Sequence, residues 1–207
     1  MTIRAVVFDF GGVLFDWNPE YLYRQLIPDD AERRHFLSHI CNGAWNLQQD
    51  GGRSFAEGEA ALIAEHPQYA ELIRAWRLRW PETLKGLLPA GVALMEKLEA
   101  AGVPLYGLTN WSAETWPYAW EGYPLLRRFR DIVVSGHEKM VKPDPAIYAL
   151  MQSRIARDLP DITPAELVFI DDSQINADGA CRVGWQGIHH VDARHTEAQL
   201  RALGLEF

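Results

Sequence analysis

Four short apolar runs, Ala5 to Phe8, Leu105 to Leu108, Ile132 to Val134 and Leu167 to Ile170, constrain what this chain can fold into. None of them alternates apolar with polar residues. A strand that is apolar on both faces must be covered on both, which is the condition of a parallel sheet between two layers of helix. The segments between the runs carry helix-start chemistry. Asp144-Pro145 offers an N-cap followed by proline at the first helical position, and Thr163-Pro164-Ala165-Glu166 reads as a capping box with the same proline placement. Thr196-Glu197-Ala198-Gln199 repeats the box near the C-terminus, and Gly102 follows the run from Met95 to Ala101 where a helix C-cap glycine belongs. Strand and helix therefore alternate from about residue 88 onward. The expected class is α/β, a Rossmann-like three-layer core around a parallel sheet.

The region from Asn18 to Lys85 breaks this alternation. Asn18-Pro19 and Ser54-Phe55-Ala56-Glu57 look like helix starts, Leu72, Ile73, Trp76 and Trp80 recur at helical spacing, and no convincing strand is present. The expected organisation is a core of residues 1–17 and 86–207, with residues 18–85 forming a small helical cap that packs over the sheet as a lid.

Composition narrows the function classes. Lys+Arg 20 against Asp+Glu 28 gives a net charge of -8, with no basic stripe for the phosphates of a polymer, so nucleic acid is not an expected partner. The two cysteines, Cys41 and Cys181, lie outside any CxxC or Cys-x5-Arg loop and are expected to be buried small hydrophobes. The N-terminal MTIRAVVFDFGG lacks the long apolar stretch and cleavage site of a signal peptide, and no window approaches a membrane span, so a soluble, cytoplasmic protein without a membrane partner is expected. There is no Walker A loop, no G-x-S-x-G elbow and no H-E-x-x-H pair; His189-His190 read as core or surface residues, and Arg127-Arg128 with Arg130 as a wet face.

The informative chemistry lies where the apolar runs stop. Phe8 leads into Asp9, Leu108 into Thr109-Asn110, and Ile170 into Asp171-Asp172. Open α/β sheets bind ligands outside the carboxyl ends of their strands, and adjacent strands lie roughly 5 Å apart, so these residues can converge on one small volume. Carboxylates gathered there repel by about 4 kcal/mol per close pair at an effective dielectric of about 20. Lys142, in Val141-Lys142-Pro143-Asp144-Pro145, supplies one opposing charge and leaves two negative charges over. All-oxygen ligation suits Mg²⁺, which takes one or two carboxylates and keeps positions for water or phosphate oxygens. The arrangement predicts a metal and an anion bound together.

Asp9-Phe10-Gly11-Gly12-Val13-Leu14, Leu108-Thr109-Asn110, Lys142-Pro143-Asp144-Pro145 and Phe169-Ile170-Asp171-Asp172-Ser173, in that order, resemble the four motifs of the haloacid dehalogenase (HAD) superfamily. The resemblance runs from about residue 3 to about residue 190, and the helical insertion after the first motif resembles the cap of the subfamily that includes phosphoglycolate phosphatases and β-phosphoglucomutases. It implies Asp9 as a nucleophile that forms an aspartyl intermediate, with Thr109, Asn110 and Lys142 binding the transferred group. It implies Mg²⁺ held by Asp9, the Gly11 carbonyl and Asp172, with Asp171 beside it, and Asn176 orienting the acidic loop. The expected activity is hydrolysis of a small phosphorylated metabolite, such as a sugar phosphate.

One residue departs from the phosphatase pattern. Phosphatases of this superfamily usually carry a second aspartate two residues after the nucleophile, as general acid and then base, and here that position is Gly11. Asp16, His137 and Asp50 are the candidates to replace it. The dehalogenase branch also lacks that aspartate, but it works without metal and has no use for the acid pair Asp171-Asp172, which argues for phosphate. A metal-free dehalogenase and a non-catalytic phosphate-binding protein remain the alternatives. Trp45, near a predicted loop from Asn46 to Arg53, and Trp111 are expected to pack, with walling of the site as their second role; Arg53 reads as a solvated charge and Tyr148 as helix packing.

Overall fold

The structure is a computed structural model that describes residues 2–207. Its centre is a five-stranded, all-parallel sheet of β1 (Ala5–Phe8), β4 (Leu105–Thr109), β5 (Ile132–Val134), β6 (Leu167–Asp171) and β7 (Gln186–His189), ordered β5-β4-β1-β6-β7. Each apolar run predicted from sequence is a strand, and β7 is an additional edge strand whose half-buried Gln186 and His189 hid it. Alternate residues of β1 feed two separate cores. Val6 and Phe8 join the helical insertion, α6 (Pro89–Ala100) and α11 (Ala193–Ala202), whereas Ala5 and Val7 join Ile147, Tyr148, Met151 and Ile155 of α9 (Pro145–Asp158). The fold is thus the expected Rossmann-like α/β arrangement, with α7 (Trp116–Gly122) between β4 and β5, the short α8 (Ser135–Glu138) directly after β5, and α10 (Gln174–Arg182) also against β6 and β7.

Three of the capping signals read from sequence do start helices. Asp144 caps α9 by accepting from the Ala146 amide, ahead of Pro145. Ser54 and Glu57 form a complete capping box at α4 (Phe55–Glu65). Asn18 accepts from the Glu20 amide at the start of α1 (Glu20–Leu26), and Gly102 follows α6 with φ +76°. Two signals led elsewhere. The Thr163 box is real but opens only a three-residue 3-10 turn, Pro164–Glu166, because β6 follows at once. The Thr196 box does not start a helix: α11 is capped four residues earlier by Asp192, and Thr196 is buried inside it with its hydroxyl on His190.

Between β1 and β4 the chain forms α1, α2 (Asp30–His35), a π-helical turn Phe36–Ile40, α3 (Gly43–Asp50), α4 and α5 (Ala70–Leu78). Ile73 and Trp76 are the buried face of α5, but Trp80 lies past its end in a 3-10 turn, Trp80–Thr83. The predicted loop from Asn46 is the second half of α3, capped by Asn42 through the Trp45 amide. The insertion is also flanked by a strand pair that sequence periodicity did not indicate, β2 (Phe15–Trp17) antiparallel to β3 (Leu84–Leu87), with an irregularity between Asp16 and Trp17. Among the described residues no helix is long and apolar enough to cross a membrane. Cys41 is buried as expected, whereas Cys181 is exposed, with its Sγ close to Gly187 of β7.

Candidate active site

The order of the sheet reverses at β1, which lies between β4 and β6, and a crevice opens at that point beyond the strand ends. Asp9 follows β1 directly, and its amide donates to the Ile170 carbonyl at 2.8 Å, which sets its side chain beside that of Asp171. One oxygen from each of Asp9, Asp171 and Asp172 falls within 4.8 Å of the others. Lys142 is completely buried among them, 2.6 Å from Asp171 Oδ2 and 2.9 Å from Asp9 Oδ1, with its ammonium 5.1 Å from the Phe169 ring centroid. The sheet brings four residues from three separate sequence motifs into one cluster.

These residues hold different positions. Both oxygens of Asp171 are engaged, by Lys142 Nζ, by the Ser173 amide at 2.8 Å and by Asn176 Nδ2 at 3.2 Å to each. Asn176 therefore does orient the acidic loop, and the Tyr148 hydroxyl, donating to its carbonyl at 2.8 Å, fixes it from α9. Asp172 is exposed and lines the crevice. Gly12, with φ +66°, lies against it, and a Cβ there would overlap Asp172 Oδ2. Asp9 Oδ1 is buried at ion-pair distance from Lys142 yet is not aligned for a hydrogen bond with any described group.

The electrostatics follow from burial. Desolvation lifts the Asp9 carboxyl up to about 8; Lys142 opposes this, and Asp171 and Asp172 add to it. Burial works against the Lys142 ammonium, but Asp171 and Asp9 hold its pKa above the usual lysine value. Asp172 is raised by desolvation and then by Asp171. One ammonium therefore does not by itself offset the burial of Asp9.

Asp9, Gly11, Gly12, Thr109, Asn110 and Asp172 form the floor of a cavity of about 310 Å³. Thr109 is buried there, at the end of β4. The Asn110 side chain is spent on Lys142, accepting from its amide at 2.9 Å and donating to its carbonyl at 3.1 Å, so it positions the lysine main chain. The walls are Trp17, Asn46, Asp50, Phe55, Trp80, Trp111 and Thr115. Trp111, expected to pack, does both: it contacts Phe15, Trp80 and Trp116 edge-on or tilted and also lines the cavity. Trp45 only packs, against Phe55 and Trp76, and Arg53 is half-buried with Nε on Gln49 Oε1 at 2.6 Å, away from the cavity. Trp17, Phe55 and Trp80 carried no sequence signal for this role. Trp17 lines the wall from the point where the register of β2 shifts, a feature that residue spacing does not reveal.

Of the three candidates for the missing acid, the structure separates two from the cavity. Asp16 accepts from the Tyr21 hydroxyl at 2.7 Å, and His137 lies in a groove with Trp116, Trp120 and Phe129. Asp50 alone of the three lines the cavity.

A family profile described as haloacid dehalogenase-like hydrolase matches residues 3–184. The chain is 29% identical over 206 residues, 98% of this chain and 97% of the relative, to the sesquiterpene phosphatase AstK of Aspergillus oryzae. Its fold is similar to that of a HAD family enzyme of Bacteroides thetaiotaomicron solved with magnesium and inorganic phosphate, at TM-score 0.62 and 24% identity, covering 89% of this chain and 92% of the other. It is similar also to L-2-haloacid dehalogenase of Xanthobacter autotrophicus, at TM-score 0.63 and 18% identity, covering 100% of this chain and 85% of that one.

Proposed function

The chain belongs to the haloacid dehalogenase-like hydrolase family, and from that premise we propose that it is a magnesium-dependent phosphatase working through an aspartyl-phosphate on Asp9. The observation that carries this reading is the buried cluster of Asp9, Lys142, Asp171 and the cavity-facing Asp172. Dehalogenation displaces halide from carbon and has no need of a second exposed acid beside the nucleophile.

The residues fit a divalent cation. A buried nucleophile whose pKa lies near 8, with one oxygen lacking a hydrogen bond, needs a second positive charge to be ionised at neutral pH. Asp9, Asp172 and the Gly11 carbonyl would hold Mg²⁺; Asp171, with both oxygens engaged, we assign instead to anchoring Lys142. The bound ion would supply charge neutralisation for the phosphoryl oxygens. In the reaction Lys142, buried behind Asp9 and 2.9 Å from its Oδ1, adds its charge to that of the bound ion in keeping Asp9 an anion, and Thr109 donates to one of the phosphoryl oxygens. The Asp9 carboxylate attacks phosphorus in line, and positioning with charge stabilisation carries most of the barrier reduction.

The substrate reading departs from a sugar phosphate. Among the described residues no lysine, arginine or histidine lines the cavity, and four of its seven wall residues are aromatic, beside Asn46, Asp50 and Thr115. We assign a phosphate ester with an apolar body, a reading also supported by the sesquiterpene phosphatase relative. The helices inserted after β1, acting as a cap, provide Phe55, Asn46 and Asp50 to that wall and exclude water during transfer.

The test is phosphate release from a prenyl monophosphate with and without Mg²⁺, alongside chloride release from 2-chloropropionate. Magnesium-dependent phosphate release that Asp9→Asn abolishes is the expected result. Chloride release that survives EDTA would favour the dehalogenase, and silence on a broad panel of phosphate esters the non-catalytic alternative.

A further inference from the structure

An ester oxygen leaves as an alcohol only when something protonates it, and the loop after β1 has no side chain at Gly11 to do so. The titratable side chains lining the cavity, among the described residues, are Asp9, Asp50 and Asp172. Asp9 is the nucleophile, and Asp172 belongs to the acid cluster on the floor. That leaves one carboxyl, Asp50, carried by the insertion rather than by the sheet.

Asp50 is held there by contacts from several elements. It is the last residue of α3, and Asn46, one turn earlier, donates from Nδ2 to its Oδ2 at 2.9 Å. Its main-chain oxygen accepts from the Ser135 hydroxyl at 2.6 Å, and that hydroxyl also accepts from the Trp111 amide at 2.9 Å. Ser135 lies directly after β5, so the end of α3 is tied to the end of that strand, with Asp50 lining the cavity.

We propose that Asp50 is the general acid and base of the reaction, a catalytic group delivered by the inserted helices in place of one in the loop after β1. The assignment rests on the phosphatase reading above. In the first step an Asp9 oxygen forms a bond to phosphorus, the phosphorus to ester-oxygen bond breaks, and the ester oxygen takes the Asp50 proton to leave as the alcohol. In the second, the Asp50 carboxylate takes a proton from water as the water oxygen bonds to phosphorus. The bond to Asp9 breaks, inorganic phosphate departs, and the Asp9 carboxylate and the Asp50 carboxyl are restored. Burial supports both roles, holding the Asp50 carboxyl up to about 7 against the opposing Ser112 amide and Lys142. Asp9 and Asp172 on the floor, with Lys142 behind Asp9, are the charged groups facing it.

The experiment compares wild type and Asp50→Asn, as the full chain with Mg²⁺, on two esters in rapid mixing. p-Nitrophenyl phosphate has a leaving group that needs little protonation, whereas an n-alkyl phosphate cannot leave unprotonated. The expected result is a split. On the alkyl ester the variant loses about 10²- to 10⁴-fold in kcat with no burst of alcohol. On p-nitrophenyl phosphate it releases about one equivalent of nitrophenolate per site quickly and then stalls, because the aspartyl-phosphate lacks a base. Unchanged turnover of the alkyl ester overturns the assignment. If both steps are lost together, the Gly11→Asp, Asp50→Asn double variant decides, since a Cβ at Gly11 meets nothing within 4 Å. Recovery of alkyl phosphate turnover upholds the assignment, and continued silence overturns it. A wild type silent on both esters sinks the phosphatase reading itself, and the assignment falls with it.

Discussion

Lys142 is held by residues that no single motif connects. Asn110 grips its main chain, Asp171 and Asp9 receive its ammonium, and Asn176 and Ser173 keep Asp171 in place. Gly12 matters in a different way, because its positive φ and its contact with Asp172 both exclude a side chain. Gly12→Ala is expected to cost about 1–3 kcal/mol and to displace Asp172, read as a lower urea midpoint together with weaker Mg²⁺ uptake in calorimetry. The raised carboxyls of Asp9 and Asp50 make a second, pH-dependent prediction. Unfolded aspartates titrate near 4, so between about pH 4 and pH 7–8 the folded, metal-free chain keeps protons that the unfolded chain has lost. Its stability is fully present below that window and falls as pH rises through it, by at most about 1.4 kcal/mol per pH unit for each group. Urea unfolding in EDTA at pH 5 and pH 8 checks this, and Asp50→Asn should flatten the slope. A slope unchanged in the variant would refute the burial argument for that carboxyl.

At the scale of elements, the capping chemistry at α4 and α9 was legible because a cap needs only a few consecutive residues. β2, β3 and β7 were not legible. β2 and β3 have 3 and 4 residues and are stabilised by pairing with each other across the whole insertion, which periodicity within a short window does not register. The Thr196 box failed for a related reason: Asp192 caps the same helix earlier, and burial of Thr196 against His190 uses its hydroxyl inside the element. The junction of α3 with the end of β5 depends on one buried hydroxyl. Ser135→Ala removes the donor to Asp50 and the acceptor for Trp111, and should destabilise the protein by about 1–3 kcal/mol in chemical denaturation.

At the scale of the whole molecule, the site is a joint product of the sheet edge below and the inserted helices above, so ligands that bind it should stabilise the fold as a unit. Saturating Mg²⁺ is expected to raise Tm, by an increment that grows with the logarithm of its concentration over Kd. Because Asp9 is protonated near neutrality without a second cation, binding should also release a proton, seen as a dependence of the calorimetric heat on buffer ionisation enthalpy at pH 7. An exchange of no protons would contradict the raised Asp9. The continuous apolar runs determined the parallel sheet, since strands without a polar face have no other stable environment, and the polar residues that end them marked the floor of the site. Local chemistry reached that far because strand ends and caps are properties of neighbouring residues. The partition of roles within the acid cluster, the aromatic wall of Trp17, Phe55, Trp80 and Trp111, and the selection of Asp50 over Asp16 and His137 were decided by tertiary structure alone. Each depends on distances between segments far apart in the chain, and those distances exist only once the helices have closed over the sheet.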